Sequence, residues 1–115
     1  MMSQHDLDQT LVALADPARR GIIELLRKKP RRAGELAEAL SLNRPRMSQH
    51  LRVLRRSGLV EEDSVEHDAR VRVFRLRMEP LAQVRDWLNE VEEFWTAQLS
   101  AFKAQAERAG SKRRQ

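Results

Sequence analysis

Asn43-Arg-Pro-Arg-Met-Ser-Gln-His-Leu-Arg-Val-Leu-Arg-Arg-Ser-Gly58 is the stretch on which the fold turns. Asn43 can cap a helix with its side-chain oxygen. Pro45 falls in the first turn, where its missing N–H has no helical partner. Gly58 supplies the residue that ends a helix. Between these signals Met47, Leu51 and Leu54 recur with helical periodicity, which predicts a helix from residue 44 to about Ser57 buried along one stripe. Pro45, Gln49, Arg52 and Arg56 face away from that stripe, and Arg46 and Ser48 flank the outer face. Arg44, Arg46, Arg52, Arg55 and Arg56 give the segment five positive charges and no acid. A solvated surface helix ordinarily mixes acids among its bases for i,i+4 pairing, so this face is expected to meet a polyanion.

The chain on either side completes a recognisable unit. Upstream, Ala33–Leu40 reads as a short helix with Leu36, Ala37 and Leu40 inward, and Ser41-Leu42-Asn43 as a three-residue turn. Before it, Asp16 can cap a helix over about Pro17–Lys28, with Ala18, Ile22, Leu25 and Leu26 inward and Pro30 beyond its end. Leu7, Leu11 and Leu14 mark a first helix. Downstream, Leu59–Glu62 and Arg70–Arg77 read as strands joined by a polar loop, Asp63–Ala69. Pro80 then opens a long helix to about Ala109. The expected fold class is mainly α with a hairpin (α+β), in the order α-α-α-α-β-β-α, a winged helix-turn-helix over residues 1–109 with a basic disordered tail at 110–115. In such units the second helix of the pair enters the major groove with its N-terminal residues on base edges. Gln49 can pair bidentately with adenine, and Arg44 or Arg46 with guanine.

Charge and composition agree with this reading. The chain has 115 residues, about one domain, and a net charge of +5. Residues 17–60 hold 12 basic and 3 acidic residues, whereas residues 61–100 hold 5 basic and 10 acidic ones. The basic block coincides with the helix-turn-helix. Cysteine is absent, which excludes disulfides, thiolate metal sites and cysteine nucleophiles. The longest purely apolar run, Leu11 to Ala15, is too short for a membrane span, and Met1–Asp8 has no secretory pattern, so a cytoplasmic protein is expected. No Gly-rich phosphate loop, supported Ser/His/Asp set or metal cluster argues for an enzyme.

Leu14-Ala-Asp-Pro-Ala-Arg-Arg-Gly-Ile-Ile-Glu-Leu-Leu26, Gly34-Glu-Leu-Ala37 and Met47-Ser-Gln-His-Leu-Arg-Val-Leu-Arg-Arg-Ser-Gly-Leu-Val60 resemble the ArsR/SmtB family of winged-helix repressors. Pro80-Leu81, Trp87-Leu88 and Phe94-Trp95 to Leu99 resemble the last helix of its metal-independent, SdpR-like branch. The likeness covers roughly residues 7–106. It implies a homodimeric repressor of double-stranded DNA that often controls its own operon. By that likeness Ser48, Gln49 and His50 are DNA-reading positions, with Arg44 and Arg46 at neighbouring variable ones. Arg70 matches the basic residue of the wing.

Three departures qualify the likeness. The family usually caps its third helix with Thr or Ser, whereas Arg32 stands there; Arg31 and Arg32 are instead expected to reach the DNA backbone, and Arg52, on the outer face of the 44–57 helix, is expected to be among the DNA-binding residues. The wing is acidic, with Glu61, Glu62, Asp63, Glu66 and Asp68 outnumbering Arg70 and Arg72, so only those two arginines are expected to contribute. The family's sensor sites need thiolates or histidines, and here no histidine follows His67. Asp86, Glu90, Glu92 and Glu93 therefore read as a solvated face, with no metal or other cofactor expected.

Leu81, Val84, Leu88, Val91, Trp95, Leu99, Phe102 and Ala106 recur along the last helix at nearly heptad spacing, and four of the five aromatic residues lie there. One small domain cannot cover so long a stripe, so the helix is expected to pair with a second copy through Leu88, Val91, Trp95, Leu99 and Phe102, helped by Leu7 and Leu11. The competing readings are a metal- or ligand-responsive regulator of the same family, and a winged-helix protein-interaction module that does not read DNA.

Overall fold

The computed structural model describes residues 4–65 and 67–113. In chain order they form α1 (Gln4–Leu14), α2 (Pro17–Leu26), α3 (Ala33–Ala39), α4 (Arg44–Arg56), β1 (Val60–Val65), β2 (Asp68–Leu76) and α5 (Glu79–Arg113). This is the expected order, a mainly helical chain with one antiparallel hairpin. It divides into two units, one ending at Val84 and the other beginning at Arg85.

Local chemistry sets the helix ends. The Asp16 carboxylate accepts hydrogen bonds from the backbone N–H of Ala18 at 2.8 Å and of Arg19 at 3.3 Å, and Pro17 occupies the first turn of α2. Asn43 Oδ1 accepts from the Arg46 N–H at 2.9 Å and starts α4. Beyond the end of α4, Gly58 takes a φ of +79°, and Ser41 in the turn before α4 takes +55°. The α3 start is weaker. The Glu35 carboxylate accepts from the Arg32 backbone N–H at 3.3 Å, but a guanidinium has no acceptor with which to return the bond.

The core is built from the predicted stripes of α2, α3 and α4. Ile22, Leu26, Leu36, Ala37, Met47, Leu51 and Leu54 are buried together with Leu59, Val60 and Phe74. Helix α1 is rotated relative to the expected stripe. Leu7, Thr10 and Ala13 are buried, whereas Leu11 is only half-buried. Thr10 tolerates burial because its hydroxyl donates to the Asp6 carbonyl at 3.0 Å. Leu7 thus already lies inside the single chain, with almost no surface left for a second copy.

Three further boundaries differ from expectation. The strands run through most of the expected 63–69 loop, pairing Val60 with Leu76 through Ser64 with Arg72, with an irregularity between Ser64 and Val65. The acids that lowered the strand propensity of β1 find partners across the hairpin. Asp63–Arg75 and Glu61–Arg77 each approach to 3.9 Å and Glu62–Arg72 to 3.8 Å, all diagonal neighbours. Helix α5 continues to Arg113, where a disordered tail was expected from residue 110; residues 114–115 lie outside those described. A third piece of backbone also joins the hairpin. Arg31 and Phe74 exchange two hydrogen bonds, of 3.1 and 2.7 Å, which tie the α2–α3 connection to β2.

Candidate nucleic-acid interface

Helices α3 and α4, joined by the left-handed turn at Ser41, form the helix-turn-helix. Burial of Met47, Leu51 and Leu54 fixes the roll of α4, so Arg44, Arg46, Ser48, Gln49 and Arg52 are exposed and gathered on its other side. Arg44 lies over the start of α3, its Nη2 3.8 Å from where a Cβ on Gly34 would be. His50 is half-buried at the edge of this face, and its Nδ1 lies 3.3 Å from Arg19 Nη1 of α2. The family likeness makes His50 a DNA-reading position; in the structure it stands half-buried, between that face and the core.

Of the five arginines on α4, Arg55 is taken up by the wing, pairing with Glu62 at 2.9 Å. Arg44, Arg46, Arg52 and Arg56 have no acidic partner among the described residues. The outer face of α4 therefore keeps a concentrated positive charge and, at Ser48 and Gln49, neutral donors and acceptors. The pair before α3 is split. Arg31 is half-buried, donating from Nε toward the Leu25 carbonyl at 3.4 Å, while Arg32 is exposed. The expected pair of backbone-reaching arginines is thus reduced to Arg32.

On the wing, Arg70 and Arg72 are exposed but not unencumbered. Arg70 lies 3.5 Å from Asp68 and Arg72 3.8 Å from Glu62. Glu62 touches both Arg55 and Arg72, so one carboxylate partly neutralises two cations flanking the reading face. Glu66, one of the expected wing acids, lies outside the described residues. In the second unit, Leu88, Val91, Trp95, Leu99 and Phe102 are all exposed in the single chain, Phe102 at 72% and Trp95 at 62%.

The fold and this face define a winged helix-turn-helix nucleic-acid-binding protein. The model of bacterial regulatory proteins of the arsR family matches residues 16–62. The HTH-type transcriptional regulator Rv2034 of Mycobacterium tuberculosis is 36% identical over 102 residues, which cover 89% of this chain and 90% of that protein. An ArsR-like transcriptional regulator from Rhodococcus sp. RHA1 superposes with a TM-score of 0.80 at 28% identity, over 90% of this chain and 92% of that one. The homodimeric winged helix-turn-helix DNA-binding domain of Mb0332 from Mycobacterium bovis superposes with a TM-score of 0.61 at 25% identity, over 77% and 80% of the two chains. The chain belongs to the ArsR family and is a transcriptional regulator, not an enzyme. Among the described residues, no helix is long and apolar enough to cross a membrane.

Proposed function

We propose that this protein is a homodimeric repressor that binds a pseudo-palindromic operator, including one in front of its own coding region, without requiring a metal. The observation that carries the proposal is the acid-free outer face of α4, where Arg44, Arg46, Ser48, Gln49 and Arg52 stand exposed together. Ser48, Gln49 and the arginines read base edges. Arg32 and the wing's Arg70 and Arg72 add phosphate contacts, which strengthen binding without specifying sequence. The apolar stripe of α5 supports pairing of two copies, and a two-fold dimer presents α4 to half-sites about one helical turn apart. Metal independence is supported by the donor set, which contains no cysteine and no histidine beyond His67.

The test is an anisotropy titration on a duplex from upstream of the protein's own coding region, against a scrambled duplex, over a salt series and with EDTA or zinc. The expected result is preference for the upstream duplex, a steep loss of affinity with salt, and indifference to both additions. Equal affinity for the two duplexes overturns sequence-specific binding. A dependence on zinc or chelation overturns metal independence alone.

A further inference from the structure

Arg19 makes more contacts than helix formation requires. Its side chain is 14% exposed, and it lies where α1 ends, α2 begins and α4 passes. Nε donates to the Ala13 carbonyl at 2.8 Å and Nη2 to the Val12 carbonyl at 3.1 Å, serving two carbonyls at the C-terminal end of α1. Nη1 is 3.9 Å from Asp16 Oδ2 and 3.3 Å from Nδ1 of His50. With one edge of the guanidinium fixed on α1, the remaining nitrogen is directed at the reading helix.

A guanidinium has only donors and does not give up its proton in a protein. Nδ1 can therefore take part in this contact only through its lone pair, which leaves the ring proton on Nε2. We infer that Arg19 is a positioning residue that holds His50 as its Nε2–H tautomer, so that α4 offers DNA a hydrogen-bond donor rather than an acceptor at position 50. The inference rests on the proposed reading of DNA by α4. It assigns to a residue outside the helix-turn-helix a share in what that helix recognises. Lysine cannot substitute for Arg19, because a single ammonium on a flexible stem does not span the two carbonyls and the imidazole together.

The ring nitrogens decide the first half of the claim in the free wild-type protein. In 15N spectra at neutral pH, with His50 assigned by comparison with His50→Leu, the proton is expected on Nε2. A proton on Nδ1 overturns the inference. In Arg19→Lys the tautomers are expected to mix, and an unchanged ring overturns it as well. On DNA, Arg19→Lys and His50→Leu are each expected to lose about tenfold in affinity for the upstream duplex, with scrambled-duplex affinity within about twofold. The double variant is expected to be no weaker than either single one, because both changes remove the same contact. Additive losses overturn the coupling. His50→Leu leaves the bonds from Arg19 to α1 in place, so the reading does not depend on whether Arg19→Lys folds. Should the wild type show no preference for the upstream duplex, the proposed function fails, and the tautomer measurement still decides this inference.

Discussion

At Gly58 the backbone leaves α4 with a φ of +79°, and among the described residues an added Cβ would meet Pro80 Cγ at an ordinary 3.6 Å. Space is available, but the conformation is one that a side chain resists. Gly58→Ala is expected to cost about 1–2 kcal/mol and to lower the thermal midpoint by several degrees in a calorimetric scan. Asp16 carries a different kind of constraint. Burial works to raise the pKa of its carboxyl, but the N–H donors of Arg19 and Ala18 and the nearby charge of Arg19 outweigh burial and hold it below 3.8. Because the folded value is lowered, this stabilisation is complete above the ordinary carboxylate range and is lost as pH falls through the depressed value. Asp16→Asn keeps a capping oxygen and removes the charge. It is expected to show a shallower loss of stability below about pH 4 in chemical denaturation. Both residues are legible as helix punctuation. Arg19 is not, because its role comes from the meeting of three helices; only its place three residues after a capping Asp hinted at it.

The hairpin was the least legible element. Glu61, Glu62 and Asp63 are poor strand formers, so sequence alone ended β1 at Glu62, and only the register reveals that arginines lie diagonally across from them. The acidic wing was expected to contribute only through Arg70 and Arg72; four of its acids, Glu61, Glu62, Asp63 and Asp68, are paired with arginines of the hairpin and its end, those two among them. Glu62 matters most, lying 2.9 Å from Arg55 and 3.8 Å from Arg72. Glu62→Gln removes a negative charge and releases both cations. DNA affinity is expected to rise several-fold, equally for upstream and scrambled duplexes, with the salt slope steepening by about one. A change confined to the upstream duplex would mean instead that Glu62 takes part in reading sequence. The helix-turn-helix itself was legible almost to the residue, because its caps, its three-residue turn and its buried stripe all point to one answer.

The apolar stripe of α5 has consequences only for the molecule as a whole. Trp95 is 62% exposed and Leu88 51% in one chain, an arrangement that invites a second copy. Trp95→Glu is expected to shift sedimentation toward the monomer and, by parting the two reading helices, to weaken upstream-duplex binding by at least tenfold. Intact dimers would remove α5 from the interface. Periodicity made this stripe readable, but not that Leu7 spends its surface inside its own chain. The proposed contribution of α1 to pairing is therefore narrowed to Leu11. Sequence also gave no sign of the bridge between Arg31 and Phe74, since two residues so far apart in the chain leave no local pattern. Those two hydrogen bonds clasp the ends of the segment that contains α3, α4 and β1. The reading helix thus sits in a closed loop, like a stone in a ring setting, and the loop cannot open at one end alone. The amide protons of Arg31 and Phe74 are expected to exchange with deuterium at a common slow rate, matching the buried amides of α4, so that recognition helix and wing come undone together or not at all.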